Sequence, residues 1–151
     1  MSQTGLVLLG TLRADGWPRI SPIEPTIFEG HLLVGGTRGT RKMADLSRDS
    51  RCVVNTIVTD KEGTEGEIKL AGRAAELTDA GILERLAGDI QKRYGFRPPE
   101  TTYHHFWMDV MSATYIVFRG DLTNRVVSWR EGQQVAETLR RWTLDGYAIV
   151  E

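Results

Sequence analysis

The stretch Thr37-Arg38-Gly39-Thr40-Arg41-Lys42 gathers the residue types that hold an anion. Gly35, Gly36 and Gly39 let a backbone bend and approach a ligand closely. Thr37 and Thr40 supply hydroxyl donors, and Arg38, Arg41 and Lys42 supply positive charge. The residues that follow read as a short helix, whose free N–H groups and dipole favour an anion at its start. From residue 38 to residue 51 there are five basic residues and two acidic ones, in a chain whose net charge is −1. Cations are electrostatically misplaced at a helix N-terminus. Loops of Thr, Gly and Arg are also common on solvated surfaces, so this is a candidate site for a phosphate or a polycarboxylate. The pattern is neither a Walker A loop nor a dinucleotide GxGxxG.

Other reactive side chains are sparse. His104 and His105 are adjacent, and neighbours on a strand point to opposite faces, so the two do not readily converge on one ion. A structural or hydrogen-bonding role is expected for them, and no metal site. A single axial ligand to haem stays open, because haem needs only one protein ligand. Glu24, between two prolines, reads as a solvated edge carboxylate or a proton donor. Trp107, Trp129 and Trp142 suit core or subunit contacts. The one cysteine, Cys52, lies in an apolar run, so no disulfide framework exists and a reducing cytoplasm fits.

These residues need elements to place them. Residues 6–12 are apolar enough for a buried strand, and Ala14-Asp15-Gly16 reads as a hairpin turn. Residues 17–28 resume extended structure, but Pro18, Pro22 and Pro25 confine it to an edge or a bulge. Residues 31–36 are a third strand, and Thr40 is the expected N-cap of a short helix carrying Met43 and Leu46. Strands follow at 51–59 and 67–77. Ile82, Leu83, Leu86 and Ile90 mark the main helix at 79–94, capped by Thr78 or Asp79 and ended by Gly95. Residues 103–119 form one or two strands and 124–129 another. Residues 133–142 are expected as a terminal helix, and the last nine residues carry no pattern that assigns them an element. Six to seven mostly antiparallel strands with one main and one short helix point to a mainly β, α+β barrel. The whole chain, 1–151, reads as a single domain, and a sizeable ligand would sit outside the barrel, between subunits.

Composition agrees with that reading. The 151 residues are 40% hydrophobic and 26% charged, ordinary for one globular domain. No apolar run approaches the ~20 residues that cross a bilayer, and no secretory leader is visible, so a cytoplasmic location without membrane contact is expected. The near-neutral charge gives no ground for nucleic-acid binding.

Leu9-Gly10-Thr11-Leu12, the segment Ala14-Asp15-Gly16-Trp17-Pro18-Arg19-Ile20-Ser21-Pro22, then Gly30-His31-Leu32, Thr37 through Lys42 and Arg51-Cys52-Val53 together resemble the pyridoxamine 5'-phosphate oxidase-like superfamily. Its members are split barrels that bind FMN or the deazaflavin F420. The resemblance implies a homodimer with two cofactors at its interface. It implies that Arg19, Ile20, Ser21 and Pro22 lie along the flavin ring, and that Thr37, Arg41 and Lys42 hold the phosphate, with Arg38 and Thr40 in the same segment. It offers Arg125 and Trp129 as groups that approach the cofactor from the partner subunit. The expected activity is an FMN- or F420-dependent oxidation or reduction of a small organic substrate, with the cofactor carrying the chemistry and no catalytic side chain required. A flavin or haem carrier without turnover is the alternative. The C-terminal Arg-x-His motif of true pyridoxamine-phosphate oxidases is absent and the chain is shorter than theirs, so vitamin B6 oxidation is not expected.

Overall fold

Val7, Leu9 and Thr11 are buried while the residues between them are less so, the period of two that makes β1 (Val7–Leu12) a strand with one face on a core. The structure, a computed structural model, describes residues 5–99 and 101–150. The chain continues through β2 (Pro18–Ile23), β3 (Thr26–Phe28), β4 (His31–Thr37), α1 (Arg41–Arg48), β5 (Arg51–Thr56), β6 (Glu67–Glu76), α2 (Ala80–Tyr94), β7 (Tyr103–Phe118), β8 (Thr123–Arg130), β9 (Ala136–Thr143) and β10 (Gly146–Ile149). All strand pairs are antiparallel. The order is β10-β9-β8-β7-β6-β5-β1-β2, with β4 bound to β7 and β3 to β4.

Among the described residues ten strands therefore stand where six or seven are expected. Residues 17–28 divide at Glu24–Pro25 into β2 and β3. The expected terminal helix is instead β9, paired with β8 and with β10, which is formed by the last residues. Residues 103–118 make one 16-residue strand.

That long strand explains the split. β6 takes one edge of β7, while β4 and β8 divide the other, β4 against residues 103–108 and β8 against residues 112–118. The sheet curls but does not close. Among the described residues no ladder joins β2 to β4. Pro18 and Pro22, which have no N–H to donate, sit in β2, a strand with a free edge.

Two cores hold the elements. Inside the curl, Val7, Leu9, Ile23, Val34, Val54, Phe106 and Met108 pack together, and α1 adds Met43 and Leu46. On the outer face, α2 lays Leu86 with Ile82, Leu83 and Ile90 over Phe28, Leu33 and Leu77. Asp79 caps α2 by accepting from the Ile82 N–H at 2.9 Å, and Gly95 ends it at φ 69°. Among the described residues no helix is long and apolar enough to cross a membrane.

Candidate functional site

The gap between β2 and β4 is a cleft of about 620 Å³. Pro22, Ile23 and Glu24 form one wall and Leu33, Gly35, Gly36 and Thr37 the other. Lys42, on the first turn of α1, reaches in beside Gly36, where a Cβ would stand 3.0 Å from the Lys42 Cε. The end of α2 and the loop after it close the far side with Ile90, Tyr94, Phe96 and Pro98, and β7 adds Tyr103 and His105. Among the described residues the Lys42 ammonium has no carboxylate partner.

The cleft brings Pro22, Thr37 and Lys42 together and leaves the other expected residues elsewhere. Arg41 precedes Lys42 on α1 and turns to the opposite flank of the helix, into a shallow hollow with Arg13, Arg19 and Arg48. There Asp45, 3% exposed, accepts from Arg19 Nε at 2.6 Å, from Thr11 Oγ1 at 2.9 Å and from Arg48. Arg19 is thus engaged by α1. Ile20, on the other face of β2, is 71% exposed and lines an apolar hollow of about 530 Å³ with Val53 and Met111. Ser21 pairs with Leu9 in the β1–β2 ladder. Arg38 bonds the His104 ring and lines a small hollow below the loop at Pro98–Pro99.

Thr40 occupies the N-cap position of α1, but its hydroxyl donates to the Thr37 carbonyl at 2.8 Å and caps no helix N–H. Arg125 pairs with Glu137 at 2.6 Å across β8 and β9, and Trp129 stands opposite Ala113. Neither lines the cleft of its own chain.

Burial would raise the Asp45 carboxyl. The hydrogen bonds from Arg19 and Thr11, the Arg19 charge and the Arg48 bond outweigh it and hold the group below its ordinary 3.8. A depressed value stabilises the fold fully above the unfolded carboxyl value, and that contribution is lost as pH falls through the lower folded one. Asp45→Asn should therefore lower stability at pH 7 by about 2 kcal/mol. It should also flatten part of the acid slope. Urea midpoints measured from pH 7 down to pH 2 in both proteins check this, and parallel curves would mean that the Asp45 carboxyl titrates alike in the folded and unfolded chain.

The two histidines diverge as strand neighbours must. His104 lies edge-on to Phe106 and 3.2 Å from Glu76, while His105 stacks on Tyr103 with ring centres 6.1 Å apart. Among the described residues no three His, Cys, Asp or Glu side chains gather as a metal site. The aromatic wall of the cleft, Tyr94, Phe96 and Tyr103, was not legible as part of a site. Its only sequence signal is the density of rings between residues 94 and 107.

A family model described as "Pyridoxamine 5'-phosphate oxidase" matches residues 1–117. Among solved structures, a pyridoxamine 5'-phosphate oxidase-related, FMN binding protein from Nostoc punctiforme is similar at a TM-score of 0.67 and 10% identity, covering 92% of this chain and 89% of that one. A heme binding protein from Mycobacterium smegmatis is similar at 0.63 and 13% identity, covering 95% and 81%. PhzG from Burkholderia lata, solved with tetrahydrophenazine-1-carboxylic acid, is similar at 0.63 and 12%, covering 89% and 81%. At these identities the likeness is one of fold. No curated protein sequence matches.

Proposed function

Since the chain belongs to the pyridoxamine 5'-phosphate oxidase family, we propose that it is an oxidoreductase that holds a phosphate-bearing flavin, FMN or F420, in the cleft between β2 and β4 and acts on a small organic molecule. The observation that carries this reading is the cleft itself, an open seam where Lys42, without a carboxylate partner among the described residues, stands beside a wall without side chains at Gly35 and Gly36. Its volume is that of a cofactor site. A flat ring fits between the outer edge of β2 and the part of β4 beyond β3, which have no ladder partner there among the described residues. A phosphate suits the Lys42 ammonium and the Thr37 hydroxyl, and Arg41 stands next to Lys42 on the same helix turn.

When bound, the flavin supplies hydride transfer. The protein's own part is to neutralise the phosphate through Lys42 and Thr37, to fix the ring against Pro22 and Ile23, and to exclude water with Tyr94, Phe96 and Tyr103. A second copy of the chain belongs to the proposal. Ile20, Val53 and Met111 leave an apolar hollow on the outer sheet face that suits burial against a partner. In that assembly Arg125 and Trp129, remote from their own cleft, serve the partner's. A cytoplasmic location is part of the same reading.

A flavin or haem carrier is the second reading, and the His105 imidazole in the cleft favours it. Purified protein titrated in turn with FMN, F420 and haem, followed by its visible spectrum and by its mass in solution, tests both. A flavin or deazaflavin band on a dimer, reduced by a nicotinamide or F420 donor and reoxidised by an acceptor, is the expected result. A haem band alone, or a flavin that never turns over, favours the carrier. No retained chromophore overturns both.

A further inference from the structure

The cleft has two sides, and the register of β4 on β7 separates them. Leu33, Gly35 and Thr37 stand opposite Trp107, His105 and Tyr103. Leu33 and Trp107 belong to the core under α2, so that row of residues faces α2. Val34 and Gly36 stand opposite Phe106 and His104. Val34 and Phe106 belong to the barrel core, and Lys42 lies against Gly36 on that side. The charged group and the His105 ring thus lie on opposite faces of one strand. They share a cleft because the strand has no side chains at Gly35 and Gly36.

The two sides differ in chemistry. The barrel side offers Lys42. The α2 side offers Tyr94, Phe96, Tyr103 and His105, a wall of rings. The His105 side chain stacks on Tyr103 and, among the described residues, has no hydrogen-bond or ion-pair partner. A Cβ at Gly35 would come within 3.0 Å of His105 Nδ1 and 2.9 Å of the His104 carbonyl, so glycine at this position keeps the ring uncovered.

We propose that the α2 side of the cleft is the substrate subsite, and that the His105 imidazole there hydrogen-bonds a planar aromatic substrate seated among Tyr94, Phe96 and Tyr103. The inference rests on the flavin reading, which fills the Lys42 side. Rings that stack favour a flat aromatic ligand, and a half-buried imidazole without a partner favours a ligand that brings one. Burial, helped by the nearby His104 and Arg38, lowers the His105 pKa below 6.5. The ring is then neutral at pH 7, with one N–H to donate.

The chain has three histidines, so their ring nitrogens are resolvable by long-range ¹H–¹⁵N spectra and assignable with His31→Gln and His104→Gln. The probes are 1,4-naphthoquinone, flat with two carbonyl acceptors, and naphthalene, flat with none. Naphthoquinone added to the FMN-loaded protein should shift the His105 nitrogens saturably and leave His31 in place. Naphthalene should shift them far less. His105→Phe should weaken naphthoquinone by about tenfold, the loss of one hydrogen bond, and His105→Gln, which keeps an N–H donor, should recover most of it. Unmoved His105 nitrogens at saturating naphthoquinone, or equal affinity in His105→Phe, overturn the subsite while FMN binding stands. Failure of the natural protein to bind FMN or F420 overturns the flavin reading, and the subsite with it.

Discussion

Lys42→Ala binds FMN at least tenfold more weakly than the natural chain, and its affinity for riboflavin, which has no phosphate, stays the same: that is the expected result of a paired titration. Lys42 lines the cleft without a carboxylate partner among the described residues. A charge-assisted bond from an ammonium to a phosphate is worth about 1.5–3 kcal/mol, or roughly ten- to 150-fold in affinity. Little of that is offset by an ion pair broken on binding. The riboflavin arm separates charge from shape. An equal loss for both ligands would mean that the Lys42 stem shapes the cleft wall and that the phosphate lies elsewhere. Arg41→Ala is the natural companion, because Arg41 is turned to the other flank of α1.

The second large effect is on the fold. Gly72→Ala should lower stability by about 3 kcal/mol or more. Gly72 sits where the β6–β7 register shifts: Ala71 pairs with Ser112 and Gly72 with Val110, leaving Met111 without a partner on β6. A Cβ at Gly72 would overlap the backbone carbonyl of Asp109, which cannot swing aside as a side chain could. The bulge would have to move, and β7 carries β4, β6 and β8. Gly88→Ala is the control. Nothing lies within 4 Å of a Cβ at Gly88 inside α2, so that change should stabilise by about 0.5–1 kcal/mol. Urea midpoints compare the three proteins, and a Gly72→Ala midpoint at the natural value would show that the bulge relaxes freely.

What the sequence makes legible follows from how far apart the deciding contacts lie. α2 is written locally, in the spacing of Ile82, Leu83, Leu86 and Ile90 and in the caps at Asp79 and Gly95. α1 and the anion-type loop before it are local too. The C-terminal hairpin is not. Val135, Leu139 and Trp142 stand at helical intervals, yet residues 136–143 are a strand because of ladders to β8 and β10. The barrel can be read from strand number, while its failure to close depends on β7 sharing one edge between β4 and β8. The site divides in the same way. Of the residues that line the cleft, Thr37 and Lys42 are legible from the loop and Pro22 from the resemblance. The aromatic half is assembled from α2 and β7, about 60 residues further on, and His105 belongs to it only through its register with Gly35.

The open seam between β2 and β4 makes occupancy and rigidity a single property. Along it, the outer edge of β2 and the part of β4 beyond β3 have no ladder partner among the described residues, so this is where the barrel can breathe and its amides exchange deuterium most readily. A ring lodged across the seam acts as the keystone of an arch, supplying the strand that the chain omits. At a hundred times its dissociation constant such a ligand adds about 2.7 kcal/mol to the folded state. The barrel is left open along this seam, and on the proposed flavin reading the small molecule that bridged it would be a structural component as well as a reactant.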